Sequence, residues 1–481
     1  MLTVIVGLLM ASLVVVGAAG GKFPELPPLQ DDGAIDGSED GATDSSDSTT
    51  DSAPVDAPPG PFLFSFGGTG VDTARAAVNS NGEIAIAGVM GAPTTIDSES
   101  VAAGLYVVKL AVDGSVAWVS GFEGGALYVN GVALGENGDV FVAGRLDGTL
   151  SFGASSLISS GPDGVLIHLS STTGAVLQTR LISGSSSTTF ENWDGLNAIA
   201  VDSAGNVYVT GHFSGSGSPC GNQRTSAGNW DVFIARYSNM GLNCQWDRVY
   251  GSVEQDVGNA IATDGVGVFV GVSSFGTLNA GGSTLTAGSS SDVVVARYAA
   301  VSGAHSWSFR FHGAGENPRA VTTGDGGVFF AGTLTGQVSF GGTTIGGSQA
   351  QELFLLRFNS SNGAHAWSKS VPGGSTLDTI HSLSFSNGGI HLAGAFTGDA
   401  NFGGQGFVAA GTHDAFRAAY DLPNGTHLSS TRSGGTGQDE MSLSVPTQHG
   451  HVLVGTFSGT VMLGSEQRTA SGNTDVFVLR Q

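Results

Sequence analysis

The residues of this chain best equipped for chemistry crowd into one short stretch, Glu191, Trp193 and Asp194, followed by His212. Two neighbouring carboxylates can divide the work of glycoside cleavage. One protonates the leaving oxygen, the other acts as base or nucleophile, and an indole can stack a sugar ring. The same four side chains could also hold a ligand without transforming it. Other constellations are thinner. His449 and His451 put two rings on one face of a strand, but no third ligand accompanies them, so no zinc centre is assigned. Asp-Gly pairs at 32, 36 and 40 lack the alternating oxygen ligands and terminal Glu of a calcium loop. No nucleophile elbow, His-Glu-x-x-His motif or phosphate-cradling loop occurs. The sequence therefore assigns no catalytic residue, no metal and no cofactor.

These candidates must be positioned by a repeating scaffold. A glycine closing a short apolar strand recurs at Gly88, Gly144, Gly211, Gly271, Gly332, Gly394 and Gly455, in steps of 56, 67, 60, 61, 62 and 61 residues. Such a period marks a repeat protein whose unit is a small antiparallel sheet, able to bury its faces only by stacking on neighbours. In the third unit Ala198–Val201 and Val207–Thr210 flank the turn Asp202-Ser-Ala-Gly205. Similar turns stand at Asn79–Gly82, Gly135–Gly138 and Thr323–Gly326, where Asn, Asp and Gly accept the left-handed backbone that tight turns need.

About twenty residues after each glycine comes a third strand that opens with an acid and carries a base five positions on. Asp231-Val-Phe-Ile-Ala-Arg-Tyr237, Asp292-Val-Val-Val-Ala-Arg-Tyr298 and Asp475-Val-Phe-Val-Leu-Arg480 are the clearest copies. Positions five apart on a strand face opposite ways, so this acid and base do not pair within their strand. They are expected to satisfy loop backbone or to bridge adjacent units. A fourth strand is marked by Trp118, Trp246, Trp307 and Trp367. The seventh unit lacks a fourth strand, and the segment Phe62-Leu-Phe64-Ser-Phe66 lines up with Trp307-Ser-Phe309-Arg-Phe311. A leading strand that completes the last sheet closes a ring and removes its open edge. The expected fold is all-β, a seven-bladed β-propeller of four-stranded antiparallel blades over residues 61–481, closed by the N-terminal strand.

The longest step, 67 residues, places extra chain ahead of the third unit. In propellers the connections into the innermost strands open around a central funnel, the usual binding region. Glu191, Trp193, Asp194 and His212 are accordingly the candidate ligand contacts. Both cysteines fall in the same unit: Cys220 where Phe152, Phe340 and Phe402 precede glycine, and Cys244 where His305 and His365 stand in their copies. Two correlated departures from the repeat, in a chain with an export segment, predict an intrablade disulfide.

Gly-Asn-Val-Tyr-Val-Thr-Gly at 205–211, followed by Asp231-Val-Phe-Ile-Ala-Arg-Tyr237 and Trp246, resembles the bacterial SBBP-type β-propeller repeat. The likeness covers all seven units and is strongest in the third. It implies an exported or cell-surface bacterial protein. It brings no catalytic or binding residues with it, and a fold analogy supplies no activity.

Residues 1–21 carry no charged side chain and read as a signal peptide or an uncleaved membrane anchor. Residues 22–60 hold ten acids and one lysine among Ser, Thr, Pro and Gly, a composition that cannot bury a core and acts as an extended acidic tether. The whole chain has net charge −23, and the ring keeps 30 acids against 16 bases. That sign disfavours nucleic acid and anionic lipid surfaces. The reading that follows is a secreted or cell-envelope, monomeric, non-enzymatic scaffold for a protein or glycan partner, touching the membrane only through its leading segment if that is retained. The competing reading is a secreted glycan-active hydrolase or lyase with carboxylates at the funnel.

Overall fold

A computed structural model of the protein describes residues 59–182, 194–288, 290–347, 351–371, 379–386 and 388–481. The leading segment and most of the tether lie outside the described residues, as do Glu191 and Trp193. The described chain contains no helix. It forms seven four-stranded antiparallel sheets. Blade 3 shows the plan, with strands Gly195–Val201, Val207–Phe213, Asp231–Tyr237 and Cys244–Tyr250 paired in that order from the centre outwards. The innermost strands, Arg75–Val78, Ala126–Leu134, Gly195–Val201, Asp256–Thr263, Ala314–Gly324, Thr379–Ser386 and Glu440–Thr447, each touch the next in a closed cycle. Both faces of every blade are covered by neighbouring blades, so the inner strands are buried on both sides instead of alternating between buried and exposed residues. All seven residues of Val207–Phe213 are buried.

The recurring glycine does not end its strand as the sequence suggested. Gly211 sits inside Val207–Phe213, and Gly88 inside Ile84–Met90. Its cause is a bulge. In six blades the innermost strand carries one extra residue opposite this position, as between Leu196 and Ala198 or between Ile380 and Ser382. The bulge drives a carbonyl at the facing strand, so a Cβ on Gly144, Gly211, Gly332, Gly394 or Gly455 would collide with Tyr128, Gly195, Asn317, Thr379 or Glu440 oxygen respectively. No side chain fits there.

The acid and base of the third strand divide as expected. Acids hold loop amides within their own blade: Asp231 accepts from Ala227 N at 3.1 Å, Asp292 from Gly288 N at 2.8 Å, and Asp475 from Ser471 N at 3.0 Å. Bases and tryptophans reach forward into the next blade. Arg236 donates to Val301 O and Trp246 to Ala300 O, while Arg357 and Trp367 both donate to Leu422 O. Each indole also lies over a left-handed glycine of that turn, Gly174, Gly303, Gly363 or Gly425, where any side chain would strike the ring.

The ring closes as the aromatic segment foretold. Phe62–Phe66 pairs antiparallel with the strand Asp475–Arg480, from Phe62 opposite Arg480 to Phe66 opposite Val476. Beside it, Thr474 Oγ1 accepts from Asp72 N at 2.8 Å and donates to Asp72 O at 2.9 Å.

Cys220 and Cys244 form a disulfide, with Cα atoms 5.3 Å apart. Cys244 pairs opposite Tyr237 as His305 does opposite Tyr298 and His427 opposite Tyr420, so its alignment with the histidines holds. Cys220 is displaced by one from the sequence alignment. Tyr237 donates to Pro219 O where Tyr420 donates to Phe402 O, which puts Pro219 at the phenylalanine position and Cys220 at that of Gly403. In blades 4 to 6 that glycine packs against the histidine, Gly281 on His305, Gly341 on His365 and Gly403 on His427. In blade 3 the two positions already face each other, and a covalent bond replaces the contact.

One feature was not legible in the repeat. A small hairpin grows from the connection between second and third strands, as in Thr94–Ile96 with Glu99–Val101, and Thr460–Leu463 with Glu466–Thr469.

Candidate functional site

Asp194 and His212 lie at the start of the innermost strand and near the end of the second strand of blade 3, close to where the extra chain enters. Asp194 is 2 % exposed, and its Oδ1 accepts from Ser214 N at 2.8 Å. Blades 1 and 7 use an acid identically: Asp72 Oδ1 accepts from Gly91 N at 2.9 Å and Asp439 Oδ1 from Ser458 N at 3.2 Å. Each acceptance falls three residues past the repeated glycine. The Asp194 carboxylate is thus a copy of a scaffold element that ties the innermost strand to the turn leaving the second. His212 is fully buried, with its Nδ1 3.2 Å from Asn197 Nδ2 and its ring 4.8 Å from that of Trp230. Burial, with Arg145 adding to it, pulls its pKa down to about 3, so the ring is neutral. Of the four candidate contacts, the described pair is enclosed between blades.

His451 does not share a site with His449. Its ring packs edge-on against His391 of blade 6 at 5.3 Å, and its Nε2 lies 2.8 Å from Ser444 Oγ, whereas His449 stands against Gly82 of blade 1.

The bulges create a different constellation. The extra residues are Asn130, Asn197, Asn259, Arg319, His381 and Ser442, and several stitch their blade to the next. Asn130 Nδ2 donates to Leu196 O at 2.9 Å, Asn197 Nδ2 to Gly258 O at 2.9 Å, and Ser442 Oγ to Ala74 O at 2.9 Å. The belt is therefore polar because a strand with an extra residue leaves backbone groups that need partners.

Around part of this belt the residues stop being interchangeable. His381 Nε2 lies 3.4 Å from Glu440 Oε2 and 3.1 Å from Thr379 Oγ1. The positive charges of Arg75 in blade 1 and Arg319 in blade 5 both disfavour protonation of the His381 ring. Burial pulls the His381 pKa down to about 4, with the arginines and His413 adding to the effect and Glu440 opposing it. Burial also lowers Arg75, and lowers Arg319 to about 10. Arg75 Nη1 donates to Ala74 O at 3.0 Å, and its Nε is buried without a hydrogen-bond partner. The Asn317 amide, oriented to satisfy both its groups, donates to Ser273 Oγ at 3.0 Å and accepts from Arg319 Nη2 at 3.2 Å. Glu440 keeps a third of its side chain in solvent. In blade 2 the equivalent of Glu440 is Tyr128, 54 % exposed, with the Arg145 guanidinium 4.2 Å from its ring centroid.

Sequence reasoning did not single out Arg75, Arg319, His381 or Glu440. A signal existed: the belt residues stand twelve to fourteen positions ahead of the repeated glycine, as Asn259 stands to Gly271 and Asn197 to Gly211. Reading that offset around the ring exposes the switch from Asn to Arg and His.

No protein-family model and no curated protein matches this chain. Among solved structures it is similar to BamB from Moraxella catarrhalis, at 12 % identity and a TM-score of 0.38, over 86 % of this chain and 95 % of that one. It is also similar to the Dos1 propeller, at 9 % identity and 0.43 over 88 % and 95 %. The Cps50 (Swd1) β-propeller domain from Myceliophteria thermophila aligns at 8 % identity and 0.44 over 88 % and 99 %.

Proposed function

We propose that this chain is an exported cell-envelope β-propeller of SBBP type that serves as a non-enzymatic binding scaffold for a protein or glycan partner, with the channel mouth as its contact region. The observation that carries this reading is how the repeated chemistry is used. Acids of the third strands hold loops, bases and indoles clamp successive blades, and Asp194 closes a turn. Carboxylates committed to backbone amides are poor proton donors and bases, whereas the belt offers fixed hydrogen-bonding groups suited to recognition. The Cys220–Cys244 disulfide supports an oxidising, extracytoplasmic setting, in keeping with export by the leading segment.

The test is a polysaccharide and oligosaccharide panel read for both binding and release of reducing ends. Binding without turnover is the expected result. Turnover that is lost in Glu191→Gln would replace the scaffold reading with the glycan-active one.

A further inference from the structure

The outer strands of blades 4 and 6 carry an arginine at the same register, Arg310 opposite Val294 and Arg432 opposite Phe416, each two residues past the acid that opens the third strand. In blade 4 the guanidinium turns inward and is fully used. Its Nε donates to Asp292 Oδ2 at 2.6 Å, its Nη1 to Ser274 Oγ at 3.2 Å and Gly276 O at 2.7 Å, and its Nη2 to Ser274 O at 3.1 Å, so that 2 % of the side chain is exposed. Blade 6 has Phe396 opposite its acid where blade 4 has Ser274. That ring is buried against Phe402 and Phe416 and offers no hydroxyl to receive an arginine. Arg432 meets Asp414 Oδ2 with Nη1 alone, at 2.7 Å, and gives Val408 O the same nitrogen at 2.9 Å. Its Nε and Nη2, the two-pronged side of the fork, make no hydrogen bond among the described residues, and 30 % of the side chain is exposed.

That unused fork borders a cavity of about 420 Å³ at the outer rim of the ring, lined by Arg432, Ser433 and Gly434 at the end of the outer strand of blade 6 and by Thr460, Met462 and Gln467 of the blade 7 hairpin. The size suits a small ligand or the tip of a chain. One cation and several neutral polar groups line it, and no acid does. Asp414 is wholly buried behind the guanidinium, its carboxylate also held by the Ala410 and Gly411 amides at 3.0 and 3.2 Å, and Glu466 of the hairpin is paired with Arg468 at 2.6 Å. Two parallel N–H groups match the two oxygens of a carboxylate. Met462, 54 % exposed, adds a pliable apolar contact. No aromatic ring lines the cavity for a sugar to stack on, whereas the strand His427–Ser433 ends here as the edge of its sheet, open to an extended main chain. Resting on the scaffold reading, and adding a rim contact to its channel mouth, we propose that this cavity captures the free C-terminus of a partner protein, its carboxylate on Arg432 Nε and Nη2 and its last, aliphatic side chain on Met462.

Titration calorimetry of the full chain tests this with four probes: acetyl-Ser-Thr-Val-Leu bearing a free C-terminal carboxylate, its C-terminal amide, the same peptide ending in Asp, and galacturonate. The free-acid Leu peptide should bind, and its amide about tenfold or more weakly, since the amide forfeits a charge-assisted pair of hydrogen bonds. The peptide ending in Asp should also bind more weakly, having no apolar group for Met462. Arg432→Gln should cost the free-acid peptide about tenfold or more in affinity. Because that variant also strips Asp414 of its cation, Met462→Lys supplies the second arm: it adds a positive charge at an exposed position and should tighten the free-acid peptide a few-fold, a gain that no loss of folding can mimic. No binding of the free-acid peptide, equal binding of its amide, or weaker binding by Met462→Lys would overturn the proposal. Galacturonate binding as tightly as the peptide would overturn it in favour of a sugar acid. Each of these results leaves the scaffold reading standing, since that reading falls on turnover of a saccharide.

Discussion

The joint between blades 4 and 5 and the seam between blades 7 and 1 solve one packing problem with different residues. At the ordinary joint Trp307 lies over Gly363 and donates to Ser360 O at 3.2 Å, with Arg297 paired opposite the indole. At the seam Phe62 takes the tryptophan's place, lies over Gly114, and has no N–H to give. Arg480 compensates. It is 1 % exposed, donates to Val112 O across the seam, bonds Gly60 O from Nε at 3.1 Å and Nη2 at 2.7 Å, and lies 4.8 Å from the Phe62 ring centroid. Both joints are crossed by the chain, and what blade 7 lacks is the hairpin between its third strand and its outer strand Phe62–Phe66. Arg480 stands where that link is missing, and its donors reach both Gly60 O at the head of the outer strand and Val112 O of blade 1.

The largest break in that comparison should come from deleting residues 59–66. The strand Asp475–Arg480 then becomes an open edge, and a single cooperative unfolding transition should give way to a broadened, early one with aggregation on size-exclusion chromatography. Next, Arg480→Ala should cost about 2–3 kcal/mol in denaturant unfolding, because Val112 O and Gly60 O lose a charged donor and the Phe62 ring loses its cation. Arg357→Ala, its counterpart at an ordinary joint, should cost about 1 kcal/mol.

Blade 3 offers a second contrast, since its disulfide stands where blades 4 to 6 use glycine and histidine. Cys220→Ser with Cys244→Ser should lower stability by about 2–4 kcal/mol, visible as a denaturant midpoint that no longer responds to reductant.

Acid should loosen ordinary joints before the seam. His212 and His451 are held down to about 3, and His381 and His391 to about 4, all by burial. Their folded pKa values lie below the unfolded value near 6.5, so the unfolded chain takes up protons that the folded one refuses. Stability present above pH 6.5 should be lost as pH falls, by about 2 kcal/mol per histidine at pH 5. Burial raises Asp72, Asp231, Asp256 and Asp439, which acts in the opposite sense nearer the carboxylate range. The histidine effect is therefore cleanest between pH 6.5 and 5. Hydrogen exchange should rise first in Gly389–Phe396 and Gly450–Phe457, where His391 and His451 meet. The smallest effect is Phe62→Trp, which restores an indole at the seam and should stabilise by no more than about 1 kcal/mol.

Much of this was legible in the chain because the repeat makes local patterns speak seven times. Blade number, strand order, the use of the repeated acids and bases on loop backbone and adjacent units, the closing strand and the cysteine pair all follow from spacing and alternation, whereas the bond of Trp246 to the next blade does not. That Asp194 has counterparts in Asp72 and Asp439 was not legible, because blades of different length separate them. Cys220 was placed one residue out, because the Tyr237 bond to Pro219 sets the register and only the folded blade shows it.

By itself the sequence determined that this protein is a ring of seven sheets closed by its own beginning, since strand period, turn residues and unit length act over a few dozen residues. Only the tertiary structure decided what gathers at the centre. Bulges set which inner side chains meet, and ring closure brings blade 1 beside blade 7, so His381 comes to 3.4 Å from Glu440 and Ser442 bonds Ala74 O although 368 residues separate that last pair. A repeat period carries no record of such contacts between blades, because His381 and Glu440 are departures from the pattern that reveals the fold.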